Sequence, residues 1–414
     1  MPLRLPSPLV LWSILATFCA VSGVQAQAPR TCLPPRTVPA ALPRALPFRL
    51  TLARIGTARL PATLSQRGST PRSMPRPLSL PPLQIQSQPA IYNAPQAWLN
   101  PIALGAYFYQ NGQSAPGDAG AVTAWRATTG RLPAVWMIYQ GWTGWNQFPA
   151  AQARRAREMG SRLMVTWEPW SGQGNDPGWS CGQVALGHRD GYIRQYARAV
   201  RSAKVPVMLR FAHEMNGDWY PWGTAFRSQT QRHNDNSPQH YVAMWRRVVS
   251  IFRQEGASNA SWVWSPNIHF LNASNSVRDQ NADLAALYPG DDVVDWIGLS
   301  VYNDGSRRRW NSFCDLFEGT YRTVTQITTK PLMIAEIGAT EAGAPLGTSK
   351  AAWIEQAMLH DIPVRFPRVK LVNWFCRDKT LLGEADYRFN SSPASLRAFQ
   401  IAANSPLYAG QLGG

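Results

Sequence analysis

The pattern of hydrophobic positions changes near residue 93. From about Asn93 onward, short continuous apolar runs alternate with stretches in which apolar residues recur at helical spacing. Apolar runs that are rich in β-branched and aromatic residues are typical of strands buried on both faces of a sheet. Eight such runs occur: Ile102–Tyr109, Ala134–Gln140, Arg162–Trp167, Val205–Phe211, Ser261–Ser265, Val294–Val301, Pro331–Ala335 and Lys370–Phe375.

Helical stretches separate these predicted strands. The clearest are Gly191–Ser202, Pro238–Gln254, Phe313–Ile327 and Ser349–Asp361. Ser237 and Ser349 stand where helix N-caps are expected. Eight strands with helices between them, over about 280 residues, predict an α/β fold, a (β/α)8 TIM barrel within residues 93–412. A doubly wound open sheet is the rival prediction, but its glycine-rich phosphate-binding turn is missing from the sequence.

The N-terminus has the features of an export signal. Arg4 is followed by an apolar run from Leu9 to Val24 and by the small-residue sequence Val24-Gln25-Ala26, which together predict a signal peptide over residues 1–26. The apolar run is shorter than the roughly 20 residues that span a membrane. An uncleaved anchor is the alternative. We therefore expect a secreted, periplasmic or cell-surface protein with no stable membrane span after cleavage.

Residues 27–92 are predicted to be a disordered, Pro/Arg-rich linker. Between Gln27 and Ala90 there are 13 Pro, nine Arg and no acidic residue. Proline blocks regular structure, and such a composition is unsuited to a packed core. The first 90 residues carry +10 of the net charge of +17. We interpret residues 27–90 as a solvated spacer, with electrostatic contact to an anionic cell surface as the alternative. A nucleic-acid partner is not expected, because much of the charge lies outside the predicted barrel.

The cysteine count suits an oxidising compartment. Removal of the signal peptide leaves Cys32, Cys181, Cys314 and Cys376, an even number that allows three full pairings. One or two structural disulfides are expected, and the sequence does not choose between the pairings. A bridge between Cys314 and Cys376 is conceivable, because they follow predicted strands whose ends share one side of the barrel. No CxxC spacing indicates metal or redox chemistry.

Polar and aromatic side chains follow several predicted strands. In (β/α)8 barrels, reactive groups collect at the C-terminal strand ends. The third strand leads into Glu168, the fourth into RFAHEMNGDWYPWG (210–223), the sixth into Tyr302, the seventh into Glu336 and the eighth into Trp374. Two carboxyl groups across one barrel mouth suit cleavage of a glycosidic bond. One carboxylic acid protonates the leaving oxygen while a carboxylate attacks the anomeric carbon.

These segments resemble glycoside hydrolase family 26, the β-mannanase family of a large clan of barrel glycosidases. RFAHEMNGDWYPWG is similar to the acid/base motif of that family, and KPLMIAEIGAT (330–340) is similar to its nucleophile strand. WVWSPN (262–267) and VDWIGLSVYN (294–303) fit its fifth and sixth strands. The closing segment NWFCRDK…ADYRFNSS is similar to the end of the barrel in some members. The resemblance covers about residues 95–405 and implies a retaining mechanism.

The resemblance and the strand-end chemistry together predict catalytic roles. Glu214 is the predicted acid/base, with its pKa raised by the second carboxylate and by apolar neighbours. Glu336 is the predicted nucleophile, kept ionised by a hydrogen bond from Tyr302. Arg210 is a predicted supporting residue. The alternative for Glu214 is that it is only an ordinary ion-pair partner of Arg210. Glu168 is the rival carboxylate, which either binds substrate hydroxyls or caps a loop.

His213 opens a possible zinc motif, H-E-x-x-H, but the fifth position is Gly217, so the motif fails. We expect His213 to hold a carboxylate or a sugar hydroxyl, with a hydrogen-bonded core histidine as the alternative. No Walker loop, dinucleotide fingerprint or G-x-S-x-G elbow occurs. The sequence therefore predicts neither a metal nor a cofactor.

Tryptophans are the expected sugar-binding residues, because pyranose rings pack on flat aromatic faces. Trp374 matches the sugar-stacking platform of the family at the cleavage subsite. About half of the other tryptophans in or beside the mouth loops are expected to line the cleft, with Trp142, Trp167 and Trp219 as first choices. The remaining ones are Trp145, Trp170, Trp222 and Trp310. Asn267 and Asp304 are weaker candidates for contacts with sugar hydroxyls.

The leading prediction is a monomeric, secreted endo-hydrolase of β-1,4-mannan that acts by a retaining double displacement. A β-1,3-1,4-glucanase or a β-1,3-xylanase of the same family is the alternative enzyme. The closing segment and the IAEIGATEAG loop (334–343) are similar to the glucanase branch. A wall-polysaccharide-binding protein that has lost catalysis is the alternative from another class. The presence of both glutamates and Tyr302 argues against it.

Overall fold

The computed structural model describes residues 101–412, except for 111, 145, 173–176, 225–235 and 270–282. The predicted signal peptide, the predicted linker, Cys32 and Trp145 lie outside the described residues. Within the described ranges no helix is long and apolar enough to cross a membrane.

Eight parallel strands pair in chain order, and the last pairs with the first, so the sheet closes into a barrel. The predicted (β/α)8 barrel is confirmed, and every predicted strand has a counterpart. The strands are β1 Ile102–Gln110, β2 Val135–Gly141, β3 Arg162–Glu168, β4 Val207–Phe211, β5 Ala260–Trp264, β6 Trp296–Asn303, β7 Leu332–Ala339 and β8 Val369–Cys376. Two-residue strands at Gln113–Ser114 and Tyr408–Ala409 pair with the two ends of β1.

Helices lie between most strands. They are α1 Ala119–Thr129, α2 Ala150–Glu158, α3 Cys181–Ala185, α4 Asp190–Ala203, α5 Pro238–Gln254, α6 Phe313–Ile327, α7 Lys350–Glu355, α8 Ile362–Arg365 and α9 Pro393–Ala403. A π-helical turn, Gln356–Asp361, joins α7 to α8. The predicted caps are confirmed, because the hydroxyls of Ser237 and Ser349 accept from the first turns of α5 and α7. Among the described residues no helix separates β5 from β6.

Strand alternation sorts the side chains into two apolar layers. In β4, Val207, Leu209 and Phe211 belong to the larger layer between strands and helices. Met208 belongs to the smaller layer inside the barrel. Methionines fill much of this interior, and three of them, on β2, β3 and β4, are register partners: Met137, Met164 and Met208. Unbranched thioether side chains can fill an irregular space beneath a polar site.

A bulge in β7 directs Glu336 into the barrel. In a regular strand, side chains two residues apart point to the same face. Ala335, however, faces the barrel interior, whereas Ile337 faces the helices. Leu299 and Ser300 are consecutive in β6, but they pair with β7 residues that are two positions apart, 334 and 336. The extra residue lets both Ala335 and Glu336 face inward, as bulges beside functional sites often do.

The disulfide between Cys314 and Cys376 that the sequence suggested is not formed. Cys314 is disulfide-bonded, whereas Cys181 and Cys376 are buried free thiols. Cys314 lies in α6, which packs beside β6, while Cys376 ends β8. Because β7 stands between β6 and β8, at roughly 4.8 Å per strand the two sites are too far apart for one disulfide.

Gly105 provides a test of the packing inside the barrel. A Cβ at this position of β1 would lie 1.7 Å from Oδ1 of Asn373 in β8, which is fully buried. We expect Gly105→Ala to lower the free energy of unfolding by about 1–3 kcal/mol, measured by urea denaturation. Gly319→Ala is the control, because it lies in α6 with no atom within 4 Å of its new Cβ. Equal stability of the two variants would contradict the packing described.

Candidate active site

Two glutamates meet at the C-terminal mouth of the barrel. One carboxylate oxygen each of Glu214 and Glu336 and one ring nitrogen of His213 all lie within 4.8 Å of one another. All three residues are buried. Glu214 follows β4 and Glu336 lies in β7, so the pair spans the mouth. The structure thus brings together the two residues that the sequence predicted as catalytic.

Glu336 is held by charged and polar donors. The guanidinium of Arg210 donates from Nη1 to Oε1 of Glu336, and the hydroxyl of Tyr302 donates to Oε2. Arg210 is fully buried, and the hydroxyls of Ser265 and Ser300 accept from it at 2.8 and 2.7 Å. Hydrogen bonds from a cation to a carboxylate are stronger than neutral ones. These donors, one to each oxygen, fix the orientation of the Glu336 carboxylate.

Glu214 occupies a strained turn. After β4 ends at Phe211, both Ala212 and Glu214 adopt positive φ angles, 44° and 53°. Such angles are costly for residues other than glycine and persist where surrounding structure fixes them. The backbone N–H of Glu214 donates to the carbonyl oxygen of Ser265 at 2.6 Å. This bond anchors the turn to the end of β5.

The surroundings of the Glu214 side chain differ from those of Glu336. Burial, followed by the nearby charge of Glu336, raises the pKa of Glu214. The indole N–H of Trp219 donates to Oε2 of Glu214 at 2.8 Å, while Nη2 of Arg210 stays 3.9 Å from Oε1. One carboxyl group therefore favours its protonated form and the other accepts from a cation. Environments that differ in this way are expected of an acid and a nucleophile.

Glu168 and His213 are two further buried polar residues at the mouth of the barrel. Burial raises the pKa of Glu168 to about 8. Its backbone carbonyl oxygen accepts from the backbone N–H groups of Trp142 and Trp170. Whether its side chain binds substrate hydroxyls or caps a loop stays a prediction. Burial, and then the charge of Arg210, lowers the pKa of His213 well below its usual range, so its ring is neutral. Nε2 of His213 lies 3.1 Å from the hydroxyl oxygen of Tyr220.

A reciprocal pair of hydrogen bonds joins the loops that follow β4 and β5. Nδ2 of Asn216 donates to the carbonyl oxygen of Asn267, and the backbone N–H of Asn267 donates to Oδ1 of Asn216, both at 2.9 Å. Asn267 is buried beside the site, and its backbone connects these two loops. Its predicted contact with a sugar hydroxyl stays a prediction.

The cluster of His213, Glu214 and Glu336 has the donor types of a metal site. A cation there would compete with the Arg210 guanidinium, which already donates to Glu336, and the like charges would repel. The arrangement fits proton transfer and nucleophilic attack better than cation binding. That neither a metal nor a cofactor is required stays a prediction.

Three of the tryptophans predicted to bind substrate do not reach the cleft. Trp374, Trp142 and Trp167 are at most 1% exposed and belong to the layer between strands and helices. A sugar ring cannot stack on a side chain that no solvent reaches, so their assignment to substrate binding was wrong. In β8 the neighbouring residue, Phe375, faces the mouth instead, because successive strand residues alternate.

Other predicted tryptophans are divided between the core and the mouth. Trp222 and Trp310 are buried. Trp170 and Trp219 are half-buried, and Trp219 contacts the proposed acid directly. Trp219 therefore keeps its predicted place beside the reacting groups.

The sequence reasoning missed an aromatic wall of tyrosines and one phenylalanine. Ring centroids of Tyr107 lie 4.9 Å from those of Tyr139 and of Phe375, and Tyr302 lies 4.8 Å from Tyr387. Tyr107, Tyr139 and Phe375 lie on β1, β2 and β8, where apolar or aromatic residues occur on both faces, so alternation alone did not show which of them point inward. Tyr387 follows β8 in an irregular segment, where no periodicity applies.

Comparisons with known proteins agree with this geometry. The model of glycosyl hydrolase family 26 matches residues 188–350, which include both glutamates. Endoglucanase H of Acetivibrio thermocellus is 34% identical over 247 residues, covering 59% of this chain and 24% of that protein. Mannan endo-1,4-beta-mannosidase A and B of Caldalkalibacillus mannanilyticus is 30% identical over 141 residues, covering 34% of this chain and 23% of that protein. The chain thus spans about a quarter of the length of these curated relatives.

A solved structure shares the fold. A modular endo-beta-1,4-mannanase from Cellulomonas fimi superposes with a TM-score of 0.54 at 22% sequence identity. The match covers 75% of this chain and 72% of the other. At this identity the likeness concerns the barrel architecture alone.

The buried position of Arg210 leads to a stability prediction. We expect Arg210→Met to lower the free energy of unfolding by about 3–5 kcal/mol, because it leaves the Glu336 carboxylate buried without its cation. Urea denaturation at pH 7 measures the change. Arg322→Met is the control, since it breaks an ion pair with Glu318 whose arginine is 72% exposed. That loss should stay below about 1 kcal/mol. A comparable loss in both variants would refute the role given to Arg210.

Proposed function

Because this chain belongs to glycosyl hydrolase family 26, we propose that it is an endo-β-glycanase that cleaves a β-linked polysaccharide with retention of configuration. The observation that carries the proposal is the short distance, within 4.8 Å, between oxygens of Glu214 and Glu336 in contrasting environments. Retaining glycosidases hold their two carboxyl groups about 5–5.5 Å apart, whereas inverting enzymes need about 6.5–9.5 Å.

In the proposed first step, Glu214 gives its proton to the leaving glycosidic oxygen while an oxygen of Glu336 bonds to the anomeric carbon. The carbon–oxygen bond to the leaving sugar breaks, and a covalent glycosyl-enzyme forms. In the second step, Glu214 takes a proton from water as that water attacks the anomeric carbon and releases Glu336. Arg210 and Tyr302 hold Glu336 for attack and stabilise it as a leaving carboxylate.

β-1,4-Mannan is the proposed substrate, because mannan endo-1,4-beta-mannosidases recur among the relatives. A β-glucan is the second candidate, because Endoglucanase H matches a longer part of this chain at higher identity. Mannose and glucose differ only at C2. Contacts near the nucleophile therefore decide between the two substrates.

The proposed location is outside the cytoplasm. A polysaccharide substrate is extracellular, and residues 1–26 have the features of a signal peptide. The basic residues 27–90 would then act as a spacer or contact an anionic cell surface, and we retain a monomer as the proposed state. These points rest on the sequence alone.

Activity assays with the full-length protein test the proposal. Mannan, barley β-glucan and β-1,3-xylan serve as substrates, and proton NMR of the first-formed product reports its anomeric configuration. Retained configuration at the cleaved bond is expected. Inverted product, or no hydrolysis of any of these three glycans, would refute the proposed function.

Substitution of the glutamates tests their roles. We expect Glu336→Ala and Glu214→Ala to lower kcat by at least about 10³-fold, because each removes one partner of the double displacement. Azide should restore turnover of an activated aryl glycoside in Glu214→Ala and give the β-glycosyl azide, since the small anion attacks the glycosyl-enzyme without general-base help. In Glu336→Ala, azide that takes the place of the missing carboxylate would attack the substrate directly and give the α-glycosyl azide. Glu168→Gln is the comparison variant. If it abolishes turnover while Glu214→Gln does not, Glu168 is the acid/base.

The Trp219 hydrogen bond predicts a change in pH dependence. Burial and the charge of Glu336 raise the pKa of Glu214, and the bond from Trp219 opposes this increase. In Trp219→Phe the pKa of Glu214 should rise further, so its proton is retained to higher pH. We expect the basic limb of the kcat/KM profile to move up by about 0.5–1 pH unit.

Trp264→Phe is the matched control for Trp219→Phe. The indole N–H of Trp264 donates to the carbonyl oxygen of Leu287, away from the mouth. The basic limb of the kcat/KM profile of Trp264→Phe should coincide with that of the wild type. A downward shift in Trp219→Phe, or none, would contradict the hydrogen bond to an acidic Glu214.

A further inference from the structure

The closing segment ADYRFNSS (385–392) places Tyr387 directly behind Tyr302. The two ring centroids are 4.8 Å apart at an interplanar angle of 56°. Phe375 also contacts Tyr302, edge-on at 5.7 Å. Tyr302 is the residue whose hydroxyl donates to Glu336. The direction of that hydroxyl therefore depends on the rings that pack against Tyr302.

Gly338 makes room for this packing. It lies in β7, two residues after Glu336. A Cβ at this position would lie 3.1 Å from the ring of Tyr302 and 3.2 Å from the Cβ of Tyr387. Both contacts are tighter than ordinary van der Waals distances. The absence of a side chain therefore lets both tyrosines lie close to the strand that carries Glu336.

The backbone of Tyr387 is fixed by two hydrogen bonds. Its carbonyl oxygen accepts from the indole N–H of Trp374, and its N–H donates to the carbonyl oxygen of Arg377, both at 3.0 Å. Trp374, which cannot stack on a sugar, thus anchors the residue behind the nucleophile's tyrosine.

The hydroxyl of Tyr387 is fixed as well. It donates to Oδ2 of Asp304 at 3.1 Å and accepts from Nη2 of Arg307 at 3.0 Å. Nε of Arg307 also donates to Oδ2 of Asp304 at 2.6 Å. Asp304 and Arg307 belong to the loop after β6, the strand that carries Tyr302. Tyr387 therefore bridges the segment after β8 to the strand end that presents Tyr302.

We infer that Tyr387 is a positioning residue, which holds the Tyr302 hydroxyl in line with Oε2 of Glu336. The inference rests on the proposed function for its kinetic consequence. Tyr387 packs behind Tyr302 and its hydroxyl donates to Asp304, so we assign its effect to the placement of Tyr302. A hydroxyl at the end of a rigid ring moves far when the ring tilts. Displacements of about 1 Å at reacting groups can cost about 100-fold in rate.

Three variants of the full-length protein test this inference. Tyr387→Ala removes the ring, and Tyr387→Phe keeps the ring but removes the bond to Asp304. Tyr408→Ala is the control, because Tyr408 is also a buried tyrosine, 3% exposed, whose hydroxyl donates to the carbonyl oxygen of Met358. Tyr408 pairs with the first residue of β1, at the opposite end of the barrel. Both alanine variants lose a buried tyrosine ring, and only one loses the support of Tyr302.

In Tyr387→Ala we expect kcat to fall about tenfold while KM stays within about twofold. The loss should fall on kcat, because a displaced Tyr302 hydroxyl no longer orients Glu336 in the transition state, while binding of the substrate in the ground state is unchanged. Tyr387→Phe should recover most of the lost kcat. If Tyr387→Ala loses stability but keeps the wild-type kcat, as Tyr408→Ala should, the residue is merely structural and the inference is wrong.

A crystal structure of Tyr387→Ala supplies a readout that needs no activity. The inference expects the Tyr302 hydroxyl to leave hydrogen-bond distance of Glu336, and an unchanged bond would overturn it. If the wild type hydrolyses no β-glycan but this displacement occurs, the proposed function fails and the positioning role stands. If the wild type is active but the bond between Tyr302 and Glu336 is unchanged in Tyr387→Ala, the proposed function stands and the positioning role of Tyr387 fails.

Discussion

The interaction on which the site depends is the buried pairing of Arg210 with Glu336. A guanidinium without access to solvent needs a nearby anion and hydrogen-bond acceptors, and these come from Glu336, Ser265 and Ser300. Arg210 and its three partners belong to four different strands or strand ends. The pair therefore requires the closed barrel, and it leaves Glu214 as the carboxyl group whose raised pKa favours protonation.

Departures from regular backbone geometry place the two carboxyl groups. Glu336 faces inward because β7 contains one extra residue relative to β6. Glu214 reaches the mouth through a turn in which it and Ala212 adopt positive φ angles. Regular strands would give neither orientation. The packed barrel holds these local irregularities, and they create the contrasting environments that the proposed acid and the proposed nucleophile need.

The same reasoning explains why predictions for the aromatic residues were less accurate. Continuous apolar strands look alike on both faces, so the sequence cannot show which neighbour points inward. The prediction therefore placed Trp374 in the mouth, whereas it is Phe375 that faces it. The prediction also assigned Trp142 and Trp167 to the cleft, although both are buried between the strands and the helices. The sequence did not indicate a role for Tyr387, because its place behind Tyr302 depends on a hydrogen bond to Asp304 in another loop.

The sequence by itself determined the eight strands, four of the helical stretches, the caps Ser237 and Ser349, the barrel and the placement of Glu214 and Glu336 at strand ends. Apolar runs and helical periodicity are local signals, and reactive groups at strand ends follow from the architecture. Only the tertiary structure decided which aromatic rings face the mouth, how Glu336 turns inward, and that Cys314 does not pair with Cys376. These features depend on strand register and on contacts between distant residues, which a linear pattern does not encode.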